Sequence, residues 1–247
     1  QESAMKRVGD KIGYHNDGLV RWGGLFGQLE YKDGLWAGFF SVSSAVTGYN
    51  RTDYFKEKTD SLINLKLDIY TNYTKNNPTE SKGYKDLLKI ALTYPTLTRK
   101  EKYPIMNIKY SHLKEFPKTD ENFYNHRKEI NINNDSLMYY KPYTQYIKNY
   151  LYNTTYSLGH FPMNNEYSSN FTTDLLKIVN RKILSKDSKN AFLKQTIIGH
   201  FYKNSSPKIN ETNFNTFFEL STNETDKKQV KLLLNDSKFL VKDAKIK

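Results

Sequence analysis

The sequence predicts a mainly α protein, an antiparallel helical domain over residues 56–247 preceded by a β-hairpin segment over residues 1–55. Three observations predict it. Nine of the 12 glycines and both tryptophans, Trp22 and Trp36, fall within residues 1–50. Residues 1–55 hold six Lys/Arg and six Asp/Glu, so the whole net charge of +12 belongs to residues 56–247. Beyond Phe55, apolar residues recur at helical spacing almost to the end, the pattern of a packed chain rather than a disordered one.

The hairpin rests on local chemistry. Leu19 to Tyr31 contains Gly23, Gly24 and Gly27, which a helix tolerates poorly. Lys32-Asp33-Gly34 carries the Asp-Gly signal of a tight turn. From Leu35 to Val46, Trp36, Phe40, Val42 and Val46 share one face, and Ala37, Ser41, Ser43 and Ala45 the other. This alternation suits an ordinary soluble hairpin and also a strand pair of a transmembrane barrel, where about 9–11 residues span the bilayer.

The helices follow in order. Lys56 to Asn76 sets Leu62, Leu65, Ile69 and Tyr73 on one stripe with Ile63, Leu67 and Tyr70 beside it, and Asn77-Pro78 ends it. Gly83 to Tyr94 repeats the pattern, and Pro95 is expected to stop it. Tyr103 to Phe116 reads as helix or loop. Thr119-Asp120 is expected to cap a short helix through Lys128, and Asn134-Asp135-Ser136 to make a turn before Tyr143 to Tyr156. Thr172-Thr173-Asp174 should cap Leu175 to Leu184. Ser185 to Ser188 joins that helix to Ala191 through Lys203. Asn213 to Leu220 and a last helix, capped by Thr225-Asp226 and running to about Val241, complete the set. Short connections predict antiparallel neighbours.

Several chemistries are set aside. Without cysteine there is no disulfide, thiolate nucleophile or Cys-based metal site. Gln1-Glu2-Ser3 starts polar with no apolar run behind it, so no signal peptide is expected. No apolar run reaches the roughly 18 residues of a membrane helix. His15, His112, His126, His160 and His200 lie far apart, without the spacing of a metal site. Gly23-Gly24 and Gly27 precede no helix, which argues against a phosphate cradle, and no Gly-x-Ser-x-Gly elbow occurs. Asp120-Glu121 and Asp10/Asp17 are the candidate acid–base carboxylates, but adjacent acids at a helix start more often complement its dipole. No catalytic, cofactor-binding or metal-binding residue is therefore assigned, and no cofactor. Asn-x-Ser/Thr sequons, among them Asn72, Asn153, Asn210 and Asn223, are common in so Asn-rich a chain. Tyr139-Tyr140-Lys141-Pro142-Tyr143 interleaves tyrosine with a cation, as single-stranded nucleic-acid sites do. The lysines, however, alternate with acids along the helices, the arrangement of a solvated face of i,i+4 pairs. An anionic envelope surface or a protein partner explains the charge equally well.

Two stretches carry resemblances. Arg7 to Tyr14, Asn16-Asp17-Gly18-Leu19-Val20-Arg21-Trp22-Gly23-Gly24-Leu25-Phe26-Gly27 and Thr47-Gly48-Tyr49 make residues 6–55 similar to a barrel strand pair of Bacteroidota TonB-dependent receptors. Asn134-Asp135-Ser136-Leu137, Pro142-Tyr143-Thr144-Gln145-Tyr146-Ile147-Lys148-Asn149-Tyr150-Leu151 and Leu220-Ser221-Thr222-Asn223-Glu224-Thr225-Asp226 make residues 57–247 resemble, diffusely, the helical domain that precedes the thioredoxin fold in Bacteroidota TlpA-type thiol-disulfide oxidoreductases. The second likeness implies the periplasm or outer membrane of a Gram-negative bacterium. It does not carry redox chemistry over, because the Cys-x-x-Cys pair is missing. The expectation is a non-catalytic helical scaffold or protein-interaction module of the cell envelope. Its partner would be another envelope protein, with membrane contact only through the hairpin or that partner. The alternatives are an oxidoreductase lacking its thioredoxin domain, which would follow Lys247, and a fragment or subunit of an uptake receptor.

Overall fold

The computed structural model describes residues 52–111, 113–162, 168–203 and 206–239, and the course of the backbone alone for 21–33 and 36–48. The hairpin segment expected over 1–55 therefore lies, as far as residue 51, outside the residues whose packing is described. From Thr52 the chain is helical: α1 (Thr52–Asn76), α2 (Lys82–Ser111), α3 (Lys141–Tyr156), α4 (Ser169–Lys182), α5 (Lys186–Lys203), α6 (Pro207–Leu220) and α7 (Glu224–Phe239). Short 3-10 turns at Asn125–Lys128 and Asp135–Leu137 punctuate the connection between α2 and α3.

Helix α1 starts before the expected Lys56, and a different stripe faces inward. Thr52 and Thr59 are buried, Phe55 stacks on Tyr103 at 3.9 Å, and Ile63 packs on the core. Leu65 and Ile69, placed on the inward stripe by their spacing, are 57% and 51% exposed. The reason is tertiary: among the described residues α2 is the one helix on which α1 packs extensively, so one arc is covered and the next is left outside. The pair is antiparallel. Thr52 meets Tyr103, Asp60 meets Lys100 at 2.6 Å, and Lys66 meets Thr96 at 2.9 Å, one number rising as the other falls.

Pro95 does not stop α2, which continues through it and through Pro104 to Ser111. Proline removes one i→i−4 bond and usually weakens a helix by roughly 3 kcal/mol. Pro95 itself lies on the exposed face, and Ala91, whose carbonyl it leaves without its helical donor, is only half-buried. The next turn buries Thr96, Leu97, Thr98, Lys100 and Glu101, which offsets the loss.

Helices α2 and α3 run parallel, contrary to the antiparallel expectation. The Tyr140 hydroxyl donates to the Leu87 carbonyl, Tyr94 packs edge-on to Tyr146, and Glu101 meets Asn153, so both numbers rise together. The connection 112–140 is long enough to return to the start of α2, and the short-loop rule does not reach it. Helices α5 and α7 are likewise parallel, with Asn190 on Thr222 and Lys194 on Asp226. The segment expected to be a helix from Thr119 to Lys128 forms only turns and the 3-10 turn, with no side-chain cap.

The return connection is pinned by side chains acting as backbone. Asn133 donates to the Lys182 carbonyl at 3.3 Å and accepts from the Leu184 amide at 2.7 Å, which closes the end of α4. The buried Tyr143 hydroxyl donates to the Asn131 carbonyl and accepts from the Asn134 amide, both at 2.9 Å. Tyr143→Phe removes the partner of both backbone groups and should lower stability by about 1 kcal/mol. A urea melt with no measurable change would show that the connection is held otherwise.

Caps differ from expectation in the same way. Ser168 caps α4, accepting from the Phe171 amide at 3.2 Å, so Thr172 falls inside the helix. Asn223, not Thr225-Asp226, caps α7 by accepting from the Asp226 amide. Helix α6 starts at Pro207, whose missing N–H suits the first turn. The core lies among α3 to α7, around Tyr146, Ile147, Leu176, Ile197, Phe217 and Val230.

Candidate functional site

The most concentrated polar chemistry among the described residues surrounds Glu101. It lies in the half of α2 beyond Pro95 and is 0% exposed. Arg127, from the 3-10 turn, forks onto it: Nε donates to Oε1 at 2.8 Å and Nη2 to Oε2 at 2.6 Å. His126 Nε2 lies 3.0 Å from Oε1, and a carboxylate only accepts, so this nitrogen carries the proton. Asn153, from α3, donates to Oε2 at 2.8 Å and its amide also reaches the Tyr124 hydroxyl. The Tyr146 hydroxyl completes the shell at 3.5 Å. The Arg127 guanidinium lies 3.9 Å from the centre of the Tyr124 ring, a desolvated cation–π contact.

The electrostatics follow from this geometry. Burial pushes the Glu101 carboxyl up, but bonds from Arg127, His126 and Asn153 and the Arg127 charge outweigh it, leaving the group at about 2. Burial raises the Tyr146 hydroxyl strongly, and the Glu101 charge raises it further. A carboxylate at about 2, with both oxygens accepting bidentate and additional bonds, is a poor proton acceptor at neutral pH. The cluster holds a charge in place and joins the 3-10 turn to α2 and α3. His126 Nδ1, on the far side of the ring, is buried with no hydrogen-bond partner among the described residues.

The other histidines are placed singly. His160 pairs with Asp174 at 2.8 Å and packs edge-on to Phe171, fastening the end of α3 to α4. His200, buried in α5, takes a bond from the Asn213 amide on Nε2 at 3.3 Å, which puts its proton on Nδ1 toward Thr172 at 2.9 Å. His15, His112, Asp10 and Asp17 lie outside the described residues. Asp120 pairs with Lys56 at 3.5 Å in place of a helix start, and Glu121 is exposed. Among the described residues no three His, Asp or Glu side chains gather as metal ligands. The sequon asparagines Asn153 and Asn210 are buried, which removes them as glycan acceptors in the folded chain.

Glu101 and Arg127 were invisible in the sequence. Arg99-Lys100-Glu101-Lys102 reads as a solvated charge run, and 26 residues separate Glu101 from Arg127. The signal that could have found them is the continuation of the α2 apolar stripe past Pro95 through Leu97 and Ile108, which turns position 101 inward.

The fold and the cluster together define an all-helical unit whose buried charges serve its architecture. No protein-family model, curated protein or solved structure matches the chain.

Proposed function

We propose that the chain is a non-catalytic helical scaffold or protein-interaction module of the bacterial cell envelope, with a β-hairpin segment before its helices. The observation that carries this reading is the shell of Glu101, whose two carboxylate oxygens are taken up by Arg127, His126 and Asn153 and so tie three segments of the chain together. Exposed large apolar side chains on α1 and α7 add to it. Leu65, Ile69 and Leu232 are each more than half exposed, and such side chains in groups mark interaction surfaces. The envelope setting rests on the two sequence resemblances. Antiparallel pairing of Arg21–Asp33 with Trp36–Gly48 favours the hairpin.

A photo-crosslinking residue at Leu65, in the full chain expressed in a Gram-negative host of the Bacteroidota, tests the reading. Discrete protein adducts in the envelope fraction are the expected result. A chain recovered from the cytosol without adducts would overturn it.

A further inference from the structure

Three glycines lie in the helical region, Gly83, Gly159 and Gly199, and only one lacks an internal reason. Gly83 occupies the first turn of α2, where the helix is least demanding. Gly159 follows α3 with φ +98°, a left-handed conformation that favours glycine. Gly199 stands inside α5, about one turn before its end, with no such φ, where glycine weakens a helix by up to about 1 kcal/mol relative to alanine. A Cβ built there meets nothing within 4 Å. No neighbour in the fold demands the missing side chain. Its absence opens space on the outside of the helix.

That space is a cup of about 220 Å³ among α3, α4 and α5, floored by Leu175, Val179 and Phe192, with Gly199 and Tyr202 at its edge. A second cup of about 190 Å³ lies between α2 and α3, floored by Ile105 and Met106. The two share one wall, Lys148 and Tyr152, which stand a turn apart on α3. Lys102, Lys109 and Lys148 line the second cup, and no carboxylate lines either. Each cup falls below the roughly 300–1,000 Å³ of a small-molecule site. Two side-chain-sized cups on either side of a ridge fit two anchors of one peptide, and the lysines fit acids between or beside them.

We propose that these paired cups are the partner-binding surface, and that the occupant is an acidic peptide segment presenting two apolar anchors, one seated beside Gly199 and one between Lys102 and Lys148. This deepens the interaction-module reading and rests on it. Gly199 then serves as the opening of the first cup, and Lys148 contacts both halves of the segment.

The test is fluorescence anisotropy on the full chain with three labelled helix-forming peptides. One carries two leucines at i and i+4 flanked by glutamates, its twin has lysines for the glutamates, and a third has alanines for the leucines. The glutamate–leucine peptide should bind, and both others at least tenfold more weakly. Gly199→Leu fills the first cup and Lys148→Glu reverses the ridge charge, and each should weaken binding tenfold or more. Because the added side chain at 199 meets open space, the variant should melt no lower than the parent, which separates blocked binding from misfolding. Equal binding of the lysine twin, or binding unchanged in both variants, overturns the proposal. So does binding of dodecanoate at these cups with none of the peptides, which would make the occupant a lipid. Failure here with Leu65 adducts retained leaves the interaction-module reading standing with a different surface. Peptide binding with no Leu65 adducts confirms the cups and rejects α1 as part of that surface.

Discussion

Glu101→Gln should lower the stability of the helical unit by about 3–5 kcal/mol, the usual consequence of breaking a buried ion pair from one side. The neutral amide keeps the shape but leaves the Arg127 fork, 26% exposed, facing an oxygen and an NH2 where it had two carboxylate oxygens. Asn153 and His126 lose a charged acceptor at the same time. Acid titration offers an independent check. The carboxyl sits at about 2 when folded and at about 4.5 when free. Its contribution, roughly 3 kcal/mol at 1.36 kcal/mol per pH unit, is therefore full above about 4.5 and is lost as pH falls toward 2. Urea midpoints measured from neutral pH downward should fall steeply in the parent over that window and much less in Glu101→Gln. Parallel curves would mean that the carboxylate is not the group responsible. In a double-mutant cycle with Arg127→Ala, a coupling below about 0.5 kcal/mol would refute the pair as a unit.

Phe171→Ala is the second large effect expected, about 3–5 kcal/mol. The ring is 1% exposed and stands at the start of α4 among Tyr156 at 4.6 Å, His160 at 5.4 Å and Tyr152 at 5.8 Å, all presented by α3 or the turn after it. Truncation leaves a void bordered by rigid rings that cannot collapse into it, and it removes the packing beside the His160–Asp174 pair. Phe171→Leu keeps much of the volume and should lose considerably less. A thermal melt in which the alanine variant matched the parent would show that α3 and α4 are not joined through this residue.

Helix identity was largely legible in the sequence, because apolar spacing in α3, α4 and α5 coincides with the faces that are buried. What failed to read had tertiary causes. Pro95 carries a strong local signal to stop, and it was overridden by the burial of Leu97, Thr98 and Glu101 one turn later. The inward stripe of α1 includes Thr52 and Thr59, two residues that no hydrophobicity count would choose, whereas the more apolar Leu65 and Ile69 look outward. Spacing identifies the arcs of a helix, but the number of neighbours decides how many arcs are covered. The site was less legible than the fold, since Glu101, Arg127 and Asn153 come from three separate segments and none has a local motif. Gly199 could be seen in the sequence, but its meaning depends on the open space beside it.

The parallel run of α2 and α3 also sets an order on synthesis. Glu101 leaves the ribosome well before the groups that donate to it, His126 and Arg127 first and Asn153 last. Until then its side of α2 cannot be packed away without isolating a bare charge. The α1–α2 pair can close early through Asp60 and Lys100, but its other face must remain hydrated until α3 emerges and docks. A nascent chain halted before residue 153 has left the ribosome should accordingly remain open to protease within the second half of α2, and one halted far enough beyond to release that residue should close the segment in a single cooperative step.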